Sequence, residues 1–224
     1  MKRFHLITLF KEACEPYLST SIIGRAREKK LIAVSYQSPR DFTKTSSKGK
    51  FAYKKVDERP YGGGPGMVMM AEPVVKAAAK ALARRAPKKT AIVWFSPGAP
   101  AFTNTEADKL LKYDDVLFVC GRYEGIDERA VSILKTMGKV VKYSVGEAVY
   151  TGGELPAMAM IDAMTRRIPG ALGKDASVEE RRVASRDVYT RPEVLDWKGK
   201  KYRVPKILLT GHHANIDSWK EKKG

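Results

Sequence analysis

Apolar residues in this chain fall into short continuous runs separated by polar, glycine-rich or proline-bearing stretches. Five runs have the length and content of strands: RFHLITLF (3 to 10), LIAVSY (31 to 36), AIVWF (91 to 95), VLFVC (116 to 120) and KVVKY (139 to 143). Several are apolar at nearly every position, the pattern of strands buried on both faces. Around them lie helical patterns, at 17 to 29, 72 to 85, 105 to 113, 126 to 136 and 156 to 168. Pro73 suits a first helical turn, and Thr105 with Asp108 has capping-box-like spacing. Strands alternating with helices predict an α/β domain with a largely parallel sheet.

Two segments break this rhythm. Residues 37 to 66 form a long polar, glycine-rich excursion and 170 to 190 another; loops of that length are usually functional or disordered. With 224 residues the expectation is one main domain. No apolar run approaches the ~18 residues needed to cross a bilayer. The opening MKRFHLITLFKEACEPY lacks a signal-peptide cleavage pattern, so a cytoplasmic protein is expected.

Cys14 and Cys120 stand far apart without CxxC spacing, and His5, His212 and His213 have no i, i+4 pairing, so neither a disulfide framework nor a protein-built metal site is expected. The 42 Lys+Arg against 25 Asp+Glu give +17, which favours a polyanionic partner. From 181 onward there are 12 basic and 5 acidic residues. Nucleic acid leads over an anionic membrane, because no strongly amphipathic basic helix stands out.

In an open α/β sheet, ligands bind beyond the carboxyl ends of the strands. Three successive strands end there in distinctive loops: FSPGAPAF (95 to 102), CGRYEGIDER (120 to 129) and SVGEAVYTGGELPAM (144 to 158). Each alone reads as a tight strand-to-helix turn; together they describe a pocket wall where glycines allow close backbone approach. No GxxxxGK[ST] is present, and YGGGPG (61 to 66) neither fits GxGxxG nor follows a strand. A nucleoside-like cofactor without phosphates remains, held by backbone hydrogen bonds and apolar contacts.

The strings DERPYGGGPGM (57 to 67), CGRYEGIDER, TGGELPAM (151 to 158), IPGALG (168 to 173), YTRPEV (189 to 194) and VPKILLTGHHANIDSWK (204 to 220) strongly resemble the bacterial tRNA (guanine-N1)-methyltransferase family, TrmD. They occur in order over nearly the whole chain. The resemblance implies a SPOUT-class fold with a trefoil knot in the C-terminal half, a homodimer, and S-adenosylmethionine bound in the knot. It implies methylation at N1 of the guanosine 3′-adjacent to the anticodon of tRNA, with Mg²⁺ supporting activity. On this basis 1–169 is the methyltransferase domain, 170–188 an interdomain loop, and 189–224 an abbreviated C-terminal tRNA-binding domain whose helical part is little beyond 208 to 222.

By the same resemblance the cofactor is held by Trp94, Phe95, Ser96 and Pro97, by Gly121 and Tyr123, and by Ser144, Val145, Gly146, Val149, Tyr150, Gly152, Gly153 and Pro156. Glu124 is similar to the carboxylate that hydrogen-bonds the target guanine, whose N1–H and N2–H edge suits an acceptor. Arg166 occupies the place of the family's catalytic arginine, a role in which a guanidinium would stabilise developing negative charge on the base. Arg167 beside it competes for that role. DERPYGGGPGM is expected to help place the target nucleotide or the dimer partner, and Lys54, Lys55, Lys198, Lys200, Lys201 and Arg203 are candidate phosphate contacts.

The chain departs from the family pattern in four places. Gly98-Ala99 stands where Gln-Gly is usual and Glu147-Ala148 where Asp-Tyr is usual, which alters one side-chain contact and one lining aromatic. The aspartate that serves as general base falls, in an ungapped count, on Arg181, within a loop a few residues shorter than usual; Glu180 is the expected base, with Glu179, Asp175 and Asp187 as alternatives. The tail is shorter than is common. Two rival readings follow: a catalytically silent RNA-binding relative, motivated by the missing aspartate, and an RNA ribose 2′-O-methyltransferase of the same fold.

Overall fold

The computed structural model describes residues 1–45, 54–172 and 187–223. In chain order the elements are β1 (Lys2–Ile7), α1 (Lys11–Leu18), α2 (Ser21–Glu28), β2 (Ile32–Gln37), β3 (Asp57–Glu58), β4 (Val68–Met69), α3 (Ala71–Ala81), β5 (Thr90–Phe95), α4 (Asn104–Leu110), β6 (Asp115–Val119), α5 (Arg129–Leu134), β7 (Lys139–Tyr143), α6 (Glu154–Thr165), β8 (Val194–Trp197), β9 (Lys200–Arg203) and α7 (His213–Lys223). Contacts divide the chain into a unit spanning Met1–Leu172 and one spanning Gly173–Gly224.

The first unit carries a five-stranded sheet in the order β2-β1-β6-β5-β7, with every neighbouring pair parallel. Alternation along the strands splits the core between the two faces. Phe4, Leu6, Val93 and Phe118 pack with α1, α2, α4 and α6 on one side, while Ile7, Ile92, Leu117 and Val119 pack with α3 and α5 on the other. Burial on both faces explains why these strands read as near-continuous apolar runs.

Local chemistry shifts several expected boundaries. The pattern over 17 to 29 is two helices, because the chain turns at Ser19 and Thr20 and Ser21 takes φ +52°. A Cβ at Gly24 would lie 2.4 Å from the Ser19 carbonyl oxygen, so glycine permits the tight entry into α2. β1 stops at Ile7 and α1 begins by Lys11, shortening the strand expected over 3 to 10. Residues 126 to 128 are not helical: Ile126 bridges Met69 in parallel, tying the β3–β4 hairpin to the loop after β6. α6 starts at Glu154, placing Pro156 within its first turn, where a missing N–H leaves no partner unpaired.

At the amino ends of the strands, buried Asp115 gathers cations. It accepts from Arg3 Nε and Nη2 at 2.7 and 2.8 Å, lies 3.0 Å from His5 Nε2, and sits 3.5 Å from Arg85 Nε. His5 Nδ1 is 2.7 Å from the Ser35 hydroxyl. Burial would raise the Asp115 pKa, but the Arg3 and His5 hydrogen bonds outweigh it and hold the carboxyl below its usual range. Burial pushes His5 down, against the pull of Asp115.

In the second unit the described residues include a β8–β9 hairpin ahead of α7 as well as the expected helix. Its turn, Lys198-Gly199, has φ +54° and +77°, the left-handed pair that a two-residue hairpin favours. Among the described residues no helix is long and apolar enough to cross a membrane.

Candidate active site

The loops after β5, β6 and β7 meet at the carboxyl edge of the sheet and are stitched together through their backbones. Ser96 N–H donates to Tyr143 O at 3.2 Å, Ser144 N–H to Pro100 O at 3.0 Å, Phe102 N–H to Ser144 O at 2.8 Å, and Gly153 N–H to Gly121 O at 3.0 Å. They enclose a cavity of about 300 Å³. Phe95, Ser96 and Pro97 line it from the first loop; Gly121, Arg122, Tyr123, Glu124 and Gly125 from the second. Ser144, Val145, Ala148, Val149, Tyr150, Thr151, Gly152 and Gly153 line it from the third, with Tyr143 and, from α6, Pro156.

The structure therefore brings together most of the residues expected to hold the cofactor, with two exceptions. Trp94 is 6% exposed, packed beside Ile92 against the α3 and α5 side of the sheet, so its side chain does not line the cavity. Gly146, at φ +96°, also stays outside the wall; its carbonyl accepts the Ser144 hydroxyl at 2.6 Å and shapes the turn. Of the two departing pairs, Ala148 lines the cavity, while Glu147, Gly98 and Ala99 do not.

The Gly-Gly pair has a packing reason. A Cβ on Gly153 would lie 2.6 Å from Cys120 Cα, and one on Gly152 would lie 2.4 Å from Arg122 Nε. Bare backbone at these positions lets the third loop press on the second; closeness to a ligand follows from that.

A buried polar network fixes the same contact. Glu154 is 3% exposed; its Oε1 accepts the Thr8 hydroxyl at 2.6 Å and its Oε2 lies 3.0 Å from Arg122 Nη2. Arg122 also donates to Thr151 O at 3.3 Å and lies 4.6 Å over the Phe10 ring. Arg122, Glu154 and Thr8 are not among the residues singled out in the sequence. The available signal was an acid opening an apolar helix and an arginine inside a glycine-bounded loop.

Glu124 lines the cavity and meets the β3–β4 hairpin: its N–H donates to Met67 O at 3.0 Å, and a Cβ on Gly66 would overlap its side chain. The excursion DERPYGGGPGM thus closes against GRYEG. Tyr61 at its tip is 99% exposed. Lys54 is exposed and Lys55 pairs with Glu58.

Arg166 follows the last turn of α6, its N–H bonded to Asp162 O at 3.1 Å, and does not line the cavity. Arg167 makes a two-pronged pair with Asp108, Nε to Oδ1 at 2.8 Å and Nη2 to Oδ2 at 2.7 Å. Glu180, Glu179, Asp175 and Arg181 lie outside the described residues; Asp187 is exposed.

Apolar walls from Pro97, Val145, Val149 and Pro156, aromatic rings from Phe95, Tyr123 and Tyr150, and backbone polar groups between them suit a flat nucleoside carried by a small cofactor. Burial pushes the Cys120 thiol well above its usual pKa and Cys14 up to about 11, so neither is poised as a nucleophile. Among the described residues no group of three or more His, Cys, Asp or Glu side chains could hold a metal ion.

A family model described as tRNA (Guanine-1)-methyltransferase TrmD matches residues 1–224. Among curated proteins, the chain is 39% identical over 222 residues to a tRNA (guanine-N(1)-)-methyltransferase of Ruminiclostridium cellulolyticum, covering 97% of this chain and 89% of that one. It is 42% identical over 224 residues to one of the same name from Mannheimia succiniciproducens, covering 97% and 81%. With one from Clostridioides difficile the identity is 36% over 225 residues, covering 99% and 91%.

Proposed function

The chain belongs to the tRNA (guanine-1)-methyltransferase family, and on that premise we propose that it methylates N1 of the guanosine 3′-adjacent to the anticodon, using S-adenosylmethionine held in the cavity of the three loops. The observation that carries this reading is that cavity, lined by Phe95, Gly121, Tyr123, Ser144, Tyr150 and Gly153. When bound, S-adenosylmethionine supplies the electrophilic methyl group. The chain's own residues hold the reactants in line and manage one proton, and alignment contributes much of the rate in such a displacement.

Glu124 accepts from the guanine edge and orients N1 toward the cavity. Glu180 takes the N1 proton as general base, and Arg166 stabilises the negative charge that loss of this proton leaves on the base. The cavity lies at the amino end of α6 and Arg166 follows its carboxyl end. Ten residues after Pro156, at ~1.5 Å each, place it roughly 15 Å along the axis from its own cavity.

A homodimer removes that separation. Leu155 and Ala159 are exposed on α6, and Ala163 and Arg166 continue the same face at helical spacing. Two copies packed antiparallel through this face would carry the partner subunit's Arg166 toward the amino end of α6. Exposed Val149 and Tyr150, at 80% and 40%, would be covered by the same contact.

The close crossing of Gly153 on Cys120 and Gly121 supports a knotted C-terminal half, a topology rare among folds. The second unit takes the role of a tRNA-binding domain, with Lys198, Lys200, Lys201 and Arg203 as phosphate contacts. The enzyme works in the cytoplasm, with its tRNA. Mg²⁺ supports activity on the family pattern, but no group of ligands for it stands among the described residues, and none of the roles above involves it.

The test uses radiolabelled S-adenosylmethionine with two tRNA transcripts differing only in the nucleotide after the anticodon. Label is expected in the transcript carrying guanosine there and absent from the one carrying adenosine. Equal labelling of both defeats the positional assignment.

A further inference from the structure

The β8–β9 hairpin presents a two-ring face that the methyl-transfer chemistry leaves without a role. The register sets Leu195 opposite Tyr202 and Trp197 opposite Lys200. Opposed residues share a face and every second residue repeats it, so these four side chains stand together. Leu195, Trp197 and Tyr202 are 57%, 62% and 47% exposed, a grouping of large apolar side chains that marks an interaction surface.

Cations border the rings. Lys198 Nζ is 5.9 Å from the Trp197 ring centre and Lys200 Nζ is 5.4 Å from that of Tyr202. The hairpin's acid, Asp196, is opposite Lys201 on the other face. Within β8 and β9 the ring face therefore carries positive charge alone, in a chain whose net charge is +17.

We propose that this face is a stacking platform for unpaired nucleotides of the tRNA substrate, with Trp197 and Tyr202 taking bases and Lys198 and Lys200 the adjoining phosphates. Exposed rings beside cations suit single-stranded RNA, because every base offers a π-face and every nucleotide a charge. A lipid surface suits the face less well. Lys200 shares the ring face, and inserting Trp197 would carry its ammonium toward the bilayer. The inference rests on the reading of the second unit as the tRNA-binding one, and it adds that the hairpin recognises bases as well as backbone.

The test measures affinity of the full-length protein for a fluorescein-labelled tRNA transcript without cofactor, over a salt series. Trp197→Leu is expected to weaken binding roughly tenfold while leaving the slope of log Kd against log salt unchanged, because stacking displaces no counterions. Trp197→Phe is expected to stay near wild type, which separates loss of a ring from loss of folding. Lys200→Ala is expected to lower the salt slope.

A Trp197→Leu affinity within twofold of wild type overturns the proposal. So does unchanged RNA binding accompanied by Trp197-dependent binding to vesicles of anionic lipid. Methylation by the wild-type protein is assayed separately. Its absence would count against the enzymatic reading while leaving the affinity comparison intact.

Discussion

Glu154 Oε2 lies 3.0 Å from Arg122 Nη2, joining the first turn of α6 to the loop after β6 beneath the candidate cofactor cavity. The carboxylate is almost wholly buried, so removing its charge leaves a guanidinium poorly compensated. Glu154→Gln is expected to destabilise the protein by about 3 kcal/mol, read from urea midpoints. It should also weaken donor binding, because both cavity loops hang on this pair. Pairing it with Arg122→Gln is expected to recover part of the stability, and a strictly additive double variant would show that the two groups do not interact.

Gly153→Ala tests the contact between loops. The added Cβ meets the backbone of Cys120, which cannot swing aside, whereas a Cβ on Gly152 meets the Arg122 side chain, which can. Gly153→Ala is therefore expected to abolish S-adenosylmethionine binding and lower the melting temperature. Gly152→Ala is expected to fold with a smaller loss of affinity. Calorimetric titration checks both, and equal affinities in the two variants would contradict the packing argument.

Stability should fall in two steps as the pH drops. His5 is held below its ordinary 6.5 by burial, so the unfolded chain takes up its proton first. The stabilisation is complete above pH ~6.5 and is lost as pH falls toward the depressed folded value. Asp115, held below 3.8 by Arg3 and His5, adds a second loss once pH passes below that value. His5→Gln is expected to flatten the first step and to shrink the second without abolishing it, because Arg3 still holds Asp115; both are measured as urea midpoint against pH. An unchanged first step would assign it to other groups.

Among Glu180→Gln, Glu179→Gln and Asp187→Asn, the first is expected to lower single-turnover methyl transfer on the order of 100-fold or more with cofactor affinity preserved, as loss of a general base does. The other two should stay within a few-fold of wild type. Equal rates in all three would remove Glu180 from the mechanism.

The five sheet strands were legible because burial on both faces makes their sequences apolar throughout. β3 and β4 were hidden, being two residues each inside a polar excursion. β8 and β9 were hidden because LDWKGKKYR is mostly charged, with only three large apolar side chains, and turns on Lys-Gly rather than Asn-Gly. Most of the cavity wall was legible as three glycine-bearing loops after successive strands. The Trp94 side chain falls outside that wall because strand alternation turns it to the core face that Ile92 shares. The Arg122–Glu154 pair joins residues far apart in sequence, and no local pattern announces such a contact.

The most direct measurement is a nucleoside digest of tRNA after incubation with the protein and labelled S-adenosylmethionine. Label is expected in 1-methylguanosine alone. Label in a ribose-methylated nucleoside, or an unlabelled digest from protein that still binds cofactor and tRNA, would contradict it.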